Sequence, residues 1–122
     1  MLQLVPQTRI FVAREPVDFR RGIDGLAAAC RQILGEDPFG GAVFLFRNRR
    51  AKAVKLLTDD GTGFWLCQKR FSRGRLAWWP EHGQSSLNAR ELQVLLWQGD
   101  PRSADFNQDW RRIPQISSSS SG

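Results

Sequence analysis

Apolar residues at Ile23, Leu26, Ala27, Cys30, Ile33 and Leu34 recur at the three-and-four spacing of a single helix face. Gly35 follows as a C-terminal cap that takes a left-handed backbone without strain. Upstream, Asp18 is the expected N-terminal cap, accepting hydrogen bonds from the first free backbone N–H groups. Gly22 and Gly25 weaken the first turn; they either admit another backbone or mark a late start. Before the helix, residues 9–13 (RIFVA) have the pattern of a short strand, closed by Glu15-Pro16.

Beyond the helix the period shortens from 3.6 to 2. Residues 36–41 (EDPFGG) carry turn chemistry, and residues 42–46 (AVFLF) form the continuous apolar run of a strand buried on both faces. Residues 47–50 (RNRR) are expected to be a basic hairpin turn in which Asn48 takes positive φ. Residues 51–58 return as a strand, with Val54 and Leu56 on one face and Lys55 on the other. Asp59-Asp60-Gly61 is a strong hairpin signal. Residues 63–70 follow as a strand with Phe64 and Leu66 on one face and Trp65, Cys67 and Lys69 on the other. Ser72-Arg73-Gly74-Arg75 is a third tight turn, continuing the meander into residues 76–79 until Pro80 stops it. A polar loop containing His82 leads to Asn88 and Glu91, spaced as a capping box; Leu92, Leu95 and Leu96 give a short helix face, ended by Gly99-Asp100-Pro101. The pattern predicts one α+β domain, an antiparallel β-meander of about four strands flanked by two helices. That domain is expected over residues 9–100, after a flexible end at 1–8. Residues 101–122 are expected to form an irregular tail, disordered across the low-complexity stretch 117–122 (SSSSSG).

Charge changes the picture because it is concentrated. Of 18 Lys and Arg in 122 residues, nine lie in residues 47–75 (Arg47, Arg49, Arg50, Lys52, Lys55, Lys69, Arg70, Arg73, Arg75) beside only two acids, Asp59 and Asp60. This segment carries +7, while the remaining nine cations and ten acids nearly cancel. Fifteen Arg against three Lys favour phosphate and guanine recognition, since a guanidinium donates two parallel hydrogen bonds. Ordinary surfaces interleave both signs, so the clustering points to a polyanionic partner. A hairpin tip is also narrow enough to enter a major groove. Lys52, Lys55, Lys69, Arg70, Arg73 and Arg75 are the expected phosphate contacts, and Arg47, Arg49 and Arg50 the groups expected to reach base edges.

Other chemistry finds little support. The single histidine, in a polar loop, gives no His-based metal cluster, and nucleotide-loop, nucleophile-elbow and zincin signatures are absent from the sequence. Asp18 with Asp24, and Asp59 with Asp60, are better read as cap and turn residues than as metal ligands. No catalytic residue, metal or cofactor is expected. Cys30 and Cys67 fall within periodic segments and read as reduced core thiols, although spacing alone leaves a disulfide open. Trp65, Trp78 and Trp79 admit two readings, a base-stacking or partner-docking surface and simple core, with core favoured for two of the three. No apolar run approaches the ~20 residues of a membrane span, and the start lacks a signal-peptide core, which predicts a cytoplasmic protein without membrane contact.

In order along the chain, VDFRRGIDGLAAAC (17–30), DPFGGAVFLFRNRR (37–50), KLL (55–57), GFWLCQKRFSRGRLAWWP (63–80) and ELQVLLWQGD (91–100) resemble the TnpB-type, or Orf2-like, accessory proteins of the sixty-six family of bacterial insertion sequences. The likeness covers roughly residues 9–100. It implies a small non-catalytic protein encoded beside a separate transposase and needed for efficient transposition, with strand transfer left to the transposase. Two departures stand out: Leu57-Thr58-Asp59 where the family usually has an aromatic pair, and Cys67 where it tends to show tyrosine. The function expected is a DNA-binding accessory factor, nucleoid-associated and acting at element ends with the transposase of the same element. Two alternatives stand beside it. One is a module that docks on the transposase through Trp65, Trp78 and Trp79 without touching nucleic acid; the other is RNA or single-strand binding.

Overall fold

The computed structural model describes residues 8–80 and 86–102; His82, the extreme N-terminus and the serine-rich stretch lie outside them. Seven elements follow one another: β1 (Ile10–Val12), α1 (Ile23–Ile33), β2 (Val43–Arg47), β3 (Ala53–Asp59), β4 (Phe64–Arg70), β5 (Ser86–Leu87) and α2 (Ala89–Leu96). They build one five-stranded sheet in the order β4-β3-β2-β1-β5. The meander β2–β3–β4 is antiparallel with unbroken register, as the alternation predicts. The connection through α1 instead makes β1 and β2 parallel, because a strand–helix–strand crossover returns the chain in its starting direction. The residues expected to continue the meander at 76–79 are not a strand. Their place in the strand count is taken by β5, which pairs antiparallel with the far side of β1.

Each face of the sheet is covered once. On one face Phe44, Phe46 and Leu57 pack against Leu26, Ala27 and Cys30 of α1. On the other, Ile10, Val12, Val43, Leu45, Val54 and Leu56 meet Leu92 and Leu95 of α2 together with Phe71, Trp78 and Trp79. Phe44 and Phe46 are fully buried, and burying such a ring contributes roughly 2–3 kcal/mol. β2 is covered on both sides along its length, which is why its sequence is an uninterrupted apolar run; β3 beside it is covered likewise from Ala53 to Thr58.

The local signals fare unevenly. Asn88 and Glu91 form the expected capping box: Asn88 Oδ1 accepts from Glu91 N–H at 2.8 Å, and Asn88 N–H donates to Glu91 Oε1 at 3.0 Å. Asp18, in contrast, does not cap α1, whose N-cap is Gly22 with no side-chain bond. The extended backbone at Gly22 delays the helix, so Asp18 closes a local turn by accepting from Arg20 N–H at 2.9 Å. Gly22 thus marks a late start, with nothing near the position its Cβ would occupy. In the basic turn Ala51, not Asn48, adopts positive φ (59°). Asn48 is held by its own bonds, its Oδ1 accepting from Lys52 N–H at 3.0 Å and its carbonyl from Ala51 N–H at 3.1 Å. α2 ends through Gln98 at φ 63° and Gly99, whose N–H donates to Val94 O at 2.8 Å. A Cβ on Gly99 would lie 2.8 Å from Val94 Cγ1, so this position admits no side chain without a shift.

Both cysteines are free. Burial pushes the Cys30 thiol up to about 12, whereas Cys67 is partly exposed on β4. Iodoacetamide at neutral pH is therefore expected to label Cys67 well before Cys30, read by peptide mass spectrometry; equal labelling would show that α1 opens readily.

Candidate nucleic-acid interface

Sheet topology decides where the charge goes. β2 runs into the basic turn, β3 starts from it, and β4 ends beside it, Arg70 pairing with Ala53. The chain after β4 is pinned there too: Phe71 N–H donates to Lys52 O at 2.9 Å, and Leu76 N–H to Ala51 O at 2.8 Å. Parallel to β2, β1 ends on the same side, and its continuation is tied to it by Val17 N–H donating to Arg47 O at 3.0 Å. Three segments therefore meet at one end of the sheet, carrying Arg49, Arg50, Lys52, Arg70, Arg73 and Arg75, all exposed. At the opposite end the β3–β4 turn holds the two acids of the meander, Asp59 and Asp60. Arg20 pairs with Asp18 (2.7 Å) and Arg102 with Asp100 (2.9 Å), and none of the six has a described carboxylate in ion-pair reach.

The other three cations of the segment have structural employment. Lys55 is 6% exposed, so it does not make the phosphate contact expected of it. Alternation aims it at the α1 face, where Nζ donates to Phe19 O (2.8 Å) and Arg21 O (3.3 Å) and lies 4.8 Å from the Phe19 ring centroid. Arg47 is half-buried rather than extended toward base edges. Its Nη1 donates to Asn48 O (3.3 Å) and Arg49 O (3.5 Å), its guanidinium lies 5.8 Å from the Trp79 ring, and its buried Nε has no partner. Lys69 is exposed but donates to Leu96 O at 2.7 Å, meeting the negative end of α2 between the rings of Phe71 and Trp97. Gln98 fixes the third turn from behind, its Nε2 donating to the carbonyls of Arg73 (2.7 Å) and Arg75 (3.2 Å). That clamp carried no signal in the sequence beyond its place after α2.

The three tryptophans separate as well. Trp78 (9%) and Trp79 (7%) are core, Trp79 Nε1 donating to Ala13 O at 3.0 Å, whereas Trp65 is 47% exposed. Trp65 stands at the acidic end, its Nε1 donating to Asp60 Oδ2 at 2.7 Å, away from the gathered cations. Trp97, 70% exposed beside Lys69, is an aromatic surface that the sequence reading did not single out; its place just past the leucine face of α2 was the available sign.

Hydrogen bonds from the Thr62 hydroxyl, Thr62 N–H and the Trp65 indole hold the Asp60 carboxyl down at about 2. Because the folded value lies below the ordinary 3.8, the turn favours the ionised form. Its contribution to stability is complete above about pH 4 and disappears as pH falls through about 2. Asp60→Asn is expected to reduce the acid dependence of thermal stability across that window, measured by melts at successive pH; an unchanged profile would remove this turn as its source.

Between the 16–19 segment and the basic turn lies a hollow of about 390 Å³, lined by Phe19 on one side and by Asn48, Arg49 and Arg50 on the other. No group of three or more His, Cys, Asp or Glu among the described residues is arranged to hold a metal. No helix of the described residues is long and apolar enough to cross a membrane.

Fold and site together define a small α+β domain whose sheet ends in a cationic rim with no carboxylate in ion-pair reach among the described residues. The chain belongs to the IS66 Orf2 like protein family, whose model matches residues 8–104. It is 36% identical to protein y4jC of Sinorhizobium fredii over 106 residues, covering 86% of this chain and 83% of that one. To y4hO of the same organism it is 33% identical over 97 residues, covering 79% and 84%. No solved structure matches. Membership agrees with the resemblance drawn from the sequence blocks, and makes the protein a transposition accessory protein of an insertion sequence.

Proposed function

We propose that the end of the sheet carrying Arg49, Arg50, Lys52, Arg70, Arg73 and Arg75 binds the phosphate backbone of DNA at the ends of the insertion sequence. In this reading the protein performs no strand chemistry itself; it holds the element end for the separate transposase and resides with the nucleoid. The observation that carries it is the gathering of six exposed cations, from two turns and a strand end, with no described carboxylate in ion-pair reach. Like charges so placed repel one another, and folding gains nothing from bringing them together. A polyphosphate turns that repulsion into attraction. The five-residue β2–β3 turn, residues 48–52, also gives a ribbon tip of the kind that enters a major groove.

With about six phosphates engaged, log K should fall against log salt with a slope near −5. Labelled terminal inverted repeat titrated against scrambled duplex at two salt concentrations tests both parts. A flat salt response overturns the electrostatic reading, and equal affinity for both duplexes confines it to non-specific binding. A second reading is kept by the exposure of Trp65, which sits apart from the cations: docking on the transposase through that end. Pull-down with the transposase from nuclease-treated and untreated lysates separates the two, since capture that survives nuclease requires direct protein contact.

A further inference from the structure

We infer that the hollow beside the β2–β3 turn receives one unpaired nucleotide of the bound DNA, an inference that rests on the DNA-binding reading above and specifies which part of the ligand this corner takes. At about 390 Å³ the hollow falls within the roughly 300–1,000 Å³ typical of small-molecule sites. One wall is the 16–19 segment, with the rings of Pro16 and Phe19; the other is the basic turn, with Arg49 and Arg50. An aromatic residue on one wall and two arginines on the other suit a nucleotide, because a ring can stack the base while guanidiniums take its phosphate.

Two further cations stand behind the walls, bonded to carbonyls of the segments that form them. Lys55, buried, grips the Phe19 segment through the carbonyls of Phe19 and Arg21, with no carboxylate in ion-pair reach among the described residues. Arg47 holds the carbonyls of Asn48 and Arg49 from within, and its buried Nε is left without a partner. Desolvated cations without counterions cost stability, and the potential they create favours an anion in the adjoining space. Asp18, the carboxylate of the lining, does not oppose this. Arg20 holds both its oxygens, Nε at 3.2 and 3.0 Å and Nη2 at 2.7 Å, so its charge is already matched. A base still paired and stacked in the duplex is not free to enter such a hollow, since extruding it costs its pairing and stacking. A base unpaired at a bulge, a frayed end or an overhang fits it.

The test compares a hairpin duplex bearing one unpaired 2-aminopurine with a fully paired duplex of equal length at the same salt, by anisotropy and emission. The full-length chain is expected to bind the unpaired form about tenfold more tightly, with the 2-aminopurine emission quenched on binding. Phe19→Leu should abolish both the preference and the quenching while leaving affinity for the paired duplex unchanged; Phe19→Tyr should retain both. Thermal melts accompany each variant. Equal affinity of the unaltered chain for the two duplexes, without quenching, overturns the nucleotide site and leaves DNA binding standing, and binding to neither overturns both. A folded Phe19→Leu chain that keeps the preference likewise overturns the site. If Phe19→Leu does not fold, the unaltered chain's own comparison still decides.

Discussion

Replacing Arg49, Arg50, Arg73 and Arg75 together by alanine is expected to lower affinity for duplex DNA on the order of a thousandfold at ~0.1 M salt, and to flatten the salt slope from near −5 to near −2. The magnitude follows from counterion release: each phosphate contact contributes about 0.9 to the slope, and removing four of six leaves about two. The fold should survive, because the structural bonds at these positions use main-chain atoms. Gln98 donates to the carbonyls of Arg73 and Arg75, and Arg47 to those of Asn48 and Arg49, all of which alanine preserves. Relief of like-charge repulsion should even raise the melting temperature slightly. Anisotropy titrations at several salt concentrations, paired with thermal melts, check both halves. A folded variant with unaltered affinity and slope would remove the cationic rim from DNA binding and leave the docking surface at Trp65 as the reading to pursue.

Much of the architecture was legible because the chain states it locally. Period 3.6 from Ile23 to Leu34 follows from one face of α1 being buried, and the capping box at Asn88 and Glu91 encodes a helix start in four residues. The parallel pairing of β1 with β2 was not legible in the same way, since no residue in RIFVA specifies which neighbour or which direction it takes. Only the helix between them settles that, through the crossover it imposes. β5 is two residues long and has no period to read. The failure of Asp18 as a cap has a similar cause: a capping side chain acts within a few residues, and the backbone at Gly22 moved the helix start beyond its reach.

The charged segment shows how a correct composition signal divides once folded. Clustering along the sequence was visible, and the meander converts it into clustering in space, because two turns and a strand end drawn from residues 49–75 return to one sheet end. Sequence could not say which cations would be spent on the fold. Arg47 lies where β2 is still covered by Trp79, and Lys69 lies where α2 presents its last carbonyls. Lys55 carried a usable sign, since alternation puts it on the same face as Leu57, the face that Phe46 and α1 occupy. A lysine at that register has to snorkel or find carbonyls, and here it found carbonyls.

That assignment makes Lys55 the residue whose substitution separates fold from function. Lys55→Ala is expected to destabilise the domain by about 2–4 kcal/mol, because it empties a packed aliphatic stem and strips Phe19 O and Arg21 O of their donor. For a domain of this size the melting temperature should fall by roughly 10–20 °C. Lys55→Met keeps the stem and deletes the ammonium along with its desolvation cost. Arg21 is exposed and Phe19 half-buried, so water can reach the vacated carbonyls, and the loss should stay below about 1.5 kcal/mol. The methionine variant should also bind paired duplex with the salt slope of the unaltered chain, since no phosphate contact has been removed. A slope shallower by about one unit would mean that Lys55 reaches the DNA after all, which its burial beneath Phe19 forbids unless the 16–21 segment lifts away on binding. Unchanged stability of Lys55→Ala would say that this segment is held by its apolar contacts and its bond to β2, with the ammonium a bystander.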